Sequence, residues 1–150
     1  MTDPVKTPWH LWAVGIVSLL WNAFGANDYV QTQRLNREYL GQTAEQIGVP
    51  VEMVIEYYTN FPAWMDAFWA LGVWGAVIAS LLLLMRSRFA VHAFAASIVG
   101  LVVTTIYTAV SDMPAELSSP MMWVFSAFIW LFTIALLFYA RRMKSAGVLR

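Results

Sequence analysis

Cysteine is absent from the chain. Disulfides, thiolate metal sites, iron–sulfur clusters and a cysteine nucleophile are excluded with it. Charge is scarce as well: Asp, Glu, Lys and Arg make up 12% of the residues, and the 9 basic and 9 acidic side chains cancel. No net basic field exists to attract nucleic acid. Histidine is limited to His10 and His92, far apart, and neither an HExxH pair nor a glycine-rich phosphate loop occurs. The sequence therefore offers no metal site, no cofactor site and no recognisable catalytic residue. What it has in quantity is apolar surface: 60% hydrophobic residues over 150 positions and a mean hydropathy of +0.61. That composition lies far from soluble globular usage and makes lipid the expected solvent.

A helix crosses about 30 Å of hydrocarbon in roughly 20 apolar residues. Four segments meet this requirement, at 9–29, 62–85, 89–110 and 121–140, joined by an outer connection at 30–61 and followed by a tail at 141–150. Turn residues and charges bound each one: Pro8, then Asn60-Phe61-Pro62, then Arg86-Ser87-Arg88, then Ser119-Pro120. Because backbone groups must be satisfied inside lipid, the expected fold is all-α, a single membrane domain built as an antiparallel four-helix bundle. Positive charge orients it. Lys6, Arg86, Arg88, Arg141, Arg142, Lys144 and Arg150 flank one side, against Arg34 and Arg37 on the other. The basic side faces the cytoplasm and both termini lie there. A cleaved signal peptide over the first segment fits less well, since the apolar run is long and Asn22 interrupts it.

The connection at 30–61 is long for a loop between helices and is expected to carry structure of its own. One helical stretch continues the first span through Tyr39 and stops at Gly41, a suitable C-cap residue. A second starts at Thr43-Ala44-Glu45-Gln46, which has the form of a capping box, and restarts at Pro50. Val51, Val54, Ile55 and Tyr58 then recur at helical spacing, with Glu52 and Glu56 on the opposite face. The apolar face is a candidate docking surface for a partner.

Polar residues concentrate in the outer third. Asp28 lies about 28 Å along the first helix from Trp9, and Asp66 about 30 Å from Arg86, which brings both carboxylates to the outer boundary. Tyr107 and Thr104 reach a similar level, and Asn22 and Ser126 lie somewhat deeper. Two carboxylates at matched depth could share a proton or bind a cation, so Asn22, Asp28, Asp66, Tyr107, Thr104 and Ser126 form a candidate ligand site. Small residues at helical spacing mark the packing faces: Gly15, Ser18 and Gly25 in the first span, Gly72, Ala76 and Ser80 in the second, Ala96 and Gly100 in the third. No chain of ionisable groups crosses the membrane, which argues against an ion pump or a monomeric channel.

The segments PWHLWAVGIVSLLWNAFGANDYV and FPAWMDAFWALGVWGAVIASLLLLMRSRFAV, together with the fourth span and its RRM ending, resemble an uncharacterised family of small four-helix bacterial inner-membrane proteins. The most specific part is the pairing of WNAFGANDY with FPAWMDAFWALGVWG. The outer connection is longer than is usual in that family, the extra stretch lying around Gln42 to Glu56. The resemblance implies a bacterial inner membrane and four helices. Some relatives carry a sugar-transporter label, and no activity follows from it. The leading functional expectation is an interaction protein, an accessory or assembly subunit of a larger membrane complex or a homo-oligomer, with the bilayer and other membrane subunits as partners. Binding or transport of a small molecule at the outer polar site is the alternative. A membrane enzyme using Asp28 or Asp66 as acid or base ranks third.

Overall fold

Helices start where the sequence supplies a proline or a short polar side chain. In the computed structural model, which describes residues 6–150, helix α1 (Trp9–Gln33) follows Pro8, α3 (Val51–Thr59) follows Pro50 and α4 (Ala63–Leu84) follows Pro62. Proline suits these positions because its fixed φ is compatible with helix entry and its missing N–H is not needed there. Helix α2 (Arg37–Ile47) is capped by Asn36, whose side chain accepts hydrogen bonds from the Glu38 and Tyr39 amides. Helix α6 (Pro120–Ser145) has Pro120 in its first turn, and the Ser119 hydroxyl accepts from the Met122 amide at 3.2 Å. Helix α5 (Ala90–Val110) follows the short turn at 86–88 without a side-chain cap. No strand occurs among the described residues.

Four helices end alike, with paired backbone bonds that wrap the last turn. The residue that reverses the chain has positive φ in each case: Leu35 (49°), Gly48 (73°), Arg86 (58°) and Gly147 (70°). Glycine takes this conformation freely, whereas a side chain costs about 1–2 kcal/mol there. Leu35 is 37% exposed, so glycine there relieves the strain but gives up much of a leucine's burial. The two effects are of similar size, about 1–2 kcal/mol each, and Leu35→Gly is expected to leave the melting temperature in detergent nearly unchanged. Arg86 is not equivalent, because its Nε also donates to the Val148 carbonyl at 3.3 Å.

The outer connection is helical, as expected, but its breaks fall elsewhere. Gly41 and the Thr43-Ala44-Glu45-Gln46 stretch lie inside α2. Chain reversal at Leu35 ends α1 early, Asn36 then starts α2, and Gly48 ends it. Running α2 through Gly41 buries Leu40 and Ala44 together against Val54 of α3.

Helices α4, α5 and α6 are long and apolar enough to cross a membrane. Helix α1 has the length, at 25 residues, but carries His10, Asn22, Asn27 and Asp28. The closest packing is between α4 and α5, where backbones meet. A Cβ on Gly100 would collide with the backbone of Gly72 and come 2.5 Å from the Phe68 carbonyl oxygen. The Ser97 hydroxyl donates to the Gly72 carbonyl at 2.6 Å across the same contact. Gly75, which the spacing did not single out, also lies against Ser97, at 3.3 Å from a Cβ built on it. Helix α1 packs on α4 through Gly15, which would otherwise strike the Leu84 side chain, and through buried Ser18, Ala76 and Ser80. The expected series Gly72, Ala76 and Ser80 is thus divided, Gly72 serving α5 and Ser80 serving α1. Ala96 is half-buried on α5, and Gly25 has open space within the chain where a Cβ would be. Rings span the distance between α1 and α6: Trp21 lies against Phe125, Phe128 and Phe132, and His10 meets Tyr139.

A core of Leu11, Leu83, Phe94, Leu136 and Ala140 gathers at the end that holds the start of α1 and the end of α6. Residues 141–150, read from the sequence as a tail, are instead mostly folded structure. Helix α6 continues to Ser145, Gly147 reverses the chain, and Val148 and Leu149 are buried in that core. Two backbone bonds of 2.8 Å, from Arg88 to Arg150 and from Arg150 to Arg86, fasten it to the α4–α5 turn. Lys6, Arg86, Arg88, Arg141, Arg142, Lys144 and Arg150 collect at this basic end, whereas every acidic residue among those described lies toward the opposite end, under or on the α2–α3 cap.

Candidate functional site

The capped end holds the polar residues of interest, and aromatic rings build its floor. Helices α2 and α3 form a small unit with its own core of Leu40, Ala44 and Val54, against which Tyr39, Val51, Ile55, Tyr58 and Leu117 pack. The face proposed for docking, Val51, Val54, Ile55 and Tyr58, is therefore occupied within the chain. Tyr58 stacks on Trp69 of α4 with centroids 5.7 Å apart and planes 19° from parallel. Trp69 also meets Tyr29 at 5.0 Å and Phe61 at 6.1 Å. Phe61 and Trp64 close on Tyr107 of α5 at 5.4 and 5.6 Å. Tyr107 belongs to this apolar seam. Such contacts each add about 0.5–1.5 kcal/mol beyond burial, so the cap is held by several at once.

The two carboxylates serve different joints. Asp28 on α1 accepts from the Tyr39 hydroxyl of α2 at 2.8 Å, and Asp66 on α4 accepts from the Gln33 side-chain amide of α1 at 2.9 Å. Both are half-buried, and neither shares its recorded hydrogen bond with the other. Asp28 thus secures the cap, and Asp66 joins the last turn of α1 to the first turn of α4. Tyr39 and Gln33, the donors, have no signature in the sequence; their roles arise from the reversal at Leu35, which turns α2 back beside α1.

Burial, then the hydrogen bond to Asp28, push the Tyr39 phenol up to about 12. A phenol whose folded pKa exceeds its unfolded value contributes stability that is complete below the unfolded value and is lost as pH rises through the folded one. The cap contact should accordingly weaken from about pH 10 and fail through about pH 12. Spectroscopic titration of phenolate formation, with amide exchange across α2, reads this directly, and Tyr39→Phe should remove the step. Burial also raises the Tyr58 phenol, with the nearby Asp28 charge adding to it.

Asn22 belongs to another joint, deeper between α1 and α4. Its amide donates to the Ser80 hydroxyl at 2.9 Å and approaches the Ala76 carbonyl at 3.4 Å, while Ser80 itself donates to Ala76 at 2.9 Å. The amide is thus satisfied within the protein. Thr104 donates to Leu101 of its own helix at 3.1 Å. Ser126 is half-buried on α6. The neighbouring link between α5 and α6 is instead Trp130, whose indole N–H donates to the Thr105 hydroxyl at 3.0 Å. Of the six candidate ligand residues, Asn22 is spent on an interhelical hydrogen bond, Asp28 and Asp66 on two separate carboxylate contacts, Tyr107 on an aromatic seam and Thr104 on its own helix, while Ser126 stands apart on α6.

On its outer surface the cap is acidic. Glu38 and Glu45 on α2 and Glu52 and Glu56 on α3 are exposed, with Asp112 and Glu116 exposed on the segment between α5 and α6. Arg37 pairs with Glu52 and joins the starts of α2 and α3. The Glu52 carboxyl is held below its usual range by a backbone hydrogen bond and then by Arg37. Among the described residues no three His, Asp or Glu side chains assemble as a metal site. Away from the capped polar residues lie an open surface depression of about 510 Å³ lined by Val91, Arg141, Lys144 and Ser145, and an apolar groove of about 250 Å³ lined by Ala13, Val14, Val17, Phe132 and Leu136. No protein-family model, curated protein or solved structure matches the chain.

Proposed function

We propose that the chain is a four-span integral membrane protein that works as an interaction subunit, offering the acidic surface of its α2–α3 cap to a partner protein or to other subunits of a membrane complex. The observation that carries this reading is how the polar side chains are spent. Asn22, Asp28 and Asp66 all bond to groups of the same chain, while Glu38, Glu45 and Glu56 are exposed on helices that are anchored below. A rigid, charged platform suits recognition, because little ordering entropy is lost on binding. Helix α1 is the fourth span in this arrangement, its Asn22 paired inward and Asp28 near the boundary. The family resemblance and the charge bias support a bacterial inner membrane with both ends of the chain cytoplasmic.

The test is the size of the native assembly. In mild detergent, at native expression, the wild-type chain should migrate as a complex larger than its monomer, and the Glu38→Gln, Glu45→Gln, Glu56→Gln triple variant should lose that complex while keeping its melting temperature. A wild-type chain found only as monomer contradicts the interaction reading. The ligand-site alternative, centred on Asn22, Asp28 and Asp66, is less favoured because those residues are spent on separate intramolecular contacts.

A further inference from the structure

The cavity at the basic end lies where α5 begins and α6 ends. Arg141, Lys144 and Ser145 of α6 and Val91 of α5 line about 510 Å³ of open space. Arg141 and Lys144 are three residues apart and so share one face of the helix. Two other cations at this end already have partners: the Arg86 Nε bonds to Val148, and the Arg88 guanidinium lies 5.5 Å over the Phe89 ring. Arg141 and Lys144 are exposed, and no acid among the described residues lies at this end to neutralise them. The cavity wall is thus cationic with a hydroxyl at its rim, matched to a phosphate.

The neighbouring surface is matched to hydrocarbon. On α6, Phe138 lies one turn before Arg141, and Leu131 two turns before Phe138; both are exposed. On α5, Val91 is followed on its stripe by exposed Val102, three turns further on. The exposed apolar faces of α5 and α6 thus run away from the cationic rim on either side of the junction that Trp130 and Thr105 tie together. A phosphate site at one end of exposed apolar helix faces is the outline of a phospholipid, and zwitterionic headgroups would bring a cation into an already cationic wall.

We propose that the α5–α6 junction binds one anionic phospholipid, its phosphate at Arg141 and Lys144 and its acyl chains along the exposed faces of the two helices. The site rests on the membrane reading of the chain and is independent of any partner at the cap. It gives the basic end a specific lipid in place of a diffuse attraction to a charged leaflet.

The experiment uses the full chain purified in a non-ionic detergent, with melting followed by tryptophan fluorescence. Dioleoyl phosphatidylglycerol should raise the wild-type midpoint by several degrees at saturation. Dioleoyl phosphatidylcholine and inorganic phosphate should not. The Arg141→Gln, Lys144→Gln variant should lose the phosphatidylglycerol response, and Arg34→Gln, Arg37→Gln, which alters charge at the opposite end, should keep it. Equal responses to the two lipids, an equal response to inorganic phosphate, or an undiminished response in the Arg141, Lys144 variant each overturns the proposal. Should that variant not fold, native mass spectrometry of the wild-type chain decides: one retained phosphatidylglycerol against washed-out phosphatidylcholine supports the site, and equal retention refutes it. Failure here leaves the four-span arrangement to be judged by topology labelling.

Discussion

Gly100→Ala is expected to destabilise the protein by about 3 kcal/mol, the upper end of what overpacking a well-filled contact costs. The reason is that the added methyl group meets backbone. Its Cβ would overlap Gly72 and lie 2.5 Å from the Phe68 carbonyl oxygen, and no rotamer change relieves either contact. Helices α4 and α5 would have to separate, which also stretches the 2.6 Å bond from Ser97 to the Gly72 carbonyl. Two other glycines make the contrast. At Gly72 the nearest atom to an added Cβ is 3.4 Å away, so Gly72→Ala should cost under about 1 kcal/mol. At Gly25 nothing lies within 4 Å, and alanine there should be neutral or stabilising by about 0.5–1 kcal/mol through helix propensity. Melting temperatures of the three variants in one detergent check the order. An equal effect at Gly25 and Gly100 would show that the α4–α5 contact is not where the glycines matter.

Trp69→Ala is expected to release the cap while leaving the long helices packed. Its ring carries the stacked contact with Tyr58 and the edge contacts with Tyr29 and Phe61, so three elements lose a common support. Truncating a packed aromatic typically costs about 3–5 kcal/mol. Here that loss falls on the joint between the α2–α3 unit and the helices beneath it. The cap's own core of Leu40, Ala44 and Val54 does not include Trp69. Amide exchange should therefore quicken at Tyr57, Tyr58 and Phe61 and at the Tyr39 contact, with α4–α5 protection near Gly72 and Gly100 little changed. Cap helicity should persist. Uniform loss of protection across all helices would contradict this division into a cap and a support.

Much of the helical organisation is legible in the sequence because its signals are local. Pro8, Pro50, Pro62 and Ser119-Pro120 each mark a helix start, and the apolar segments match α4, α5 and α6 within a few residues. Leu35 is a different matter, since nothing in a leucine announces positive φ, and the reversal there redraws the whole outer connection. The sequence points to Gly41 as a helix stop, yet α2 runs on to Gly48. Burial of Leu40 and Ala44 against Val54 decides between them, and that is a tertiary fact. The polar residues teach the same lesson about rotation. Counting along a helix places Asp28 and Asp66 at one depth, but depth does not say which way a side chain turns, and they reach Tyr39 and Gln33 instead of each other. Gly25 and Gly75 exchange roles for this reason, one expected at a contact and open, the other unforeseen and tight.

The proposed four-span arrangement, with the cap on one side of the membrane and the basic end on the other, is tested most directly by cysteine labelling, and a chain without native cysteine makes each introduced one a clean reporter. Single variants Thr7→Cys before α1, Gln42→Cys in the cap and Ser145→Cys at the end of α6 would be treated with a membrane-impermeant maleimide in spheroplasts, before and after permeabilisation. Gln42→Cys should label in intact spheroplasts, and Thr7→Cys and Ser145→Cys only after the membrane is opened. Labelling of Thr7→Cys together with Gln42→Cys in intact spheroplasts would mean that α1 does not cross, and would contradict the arrangement.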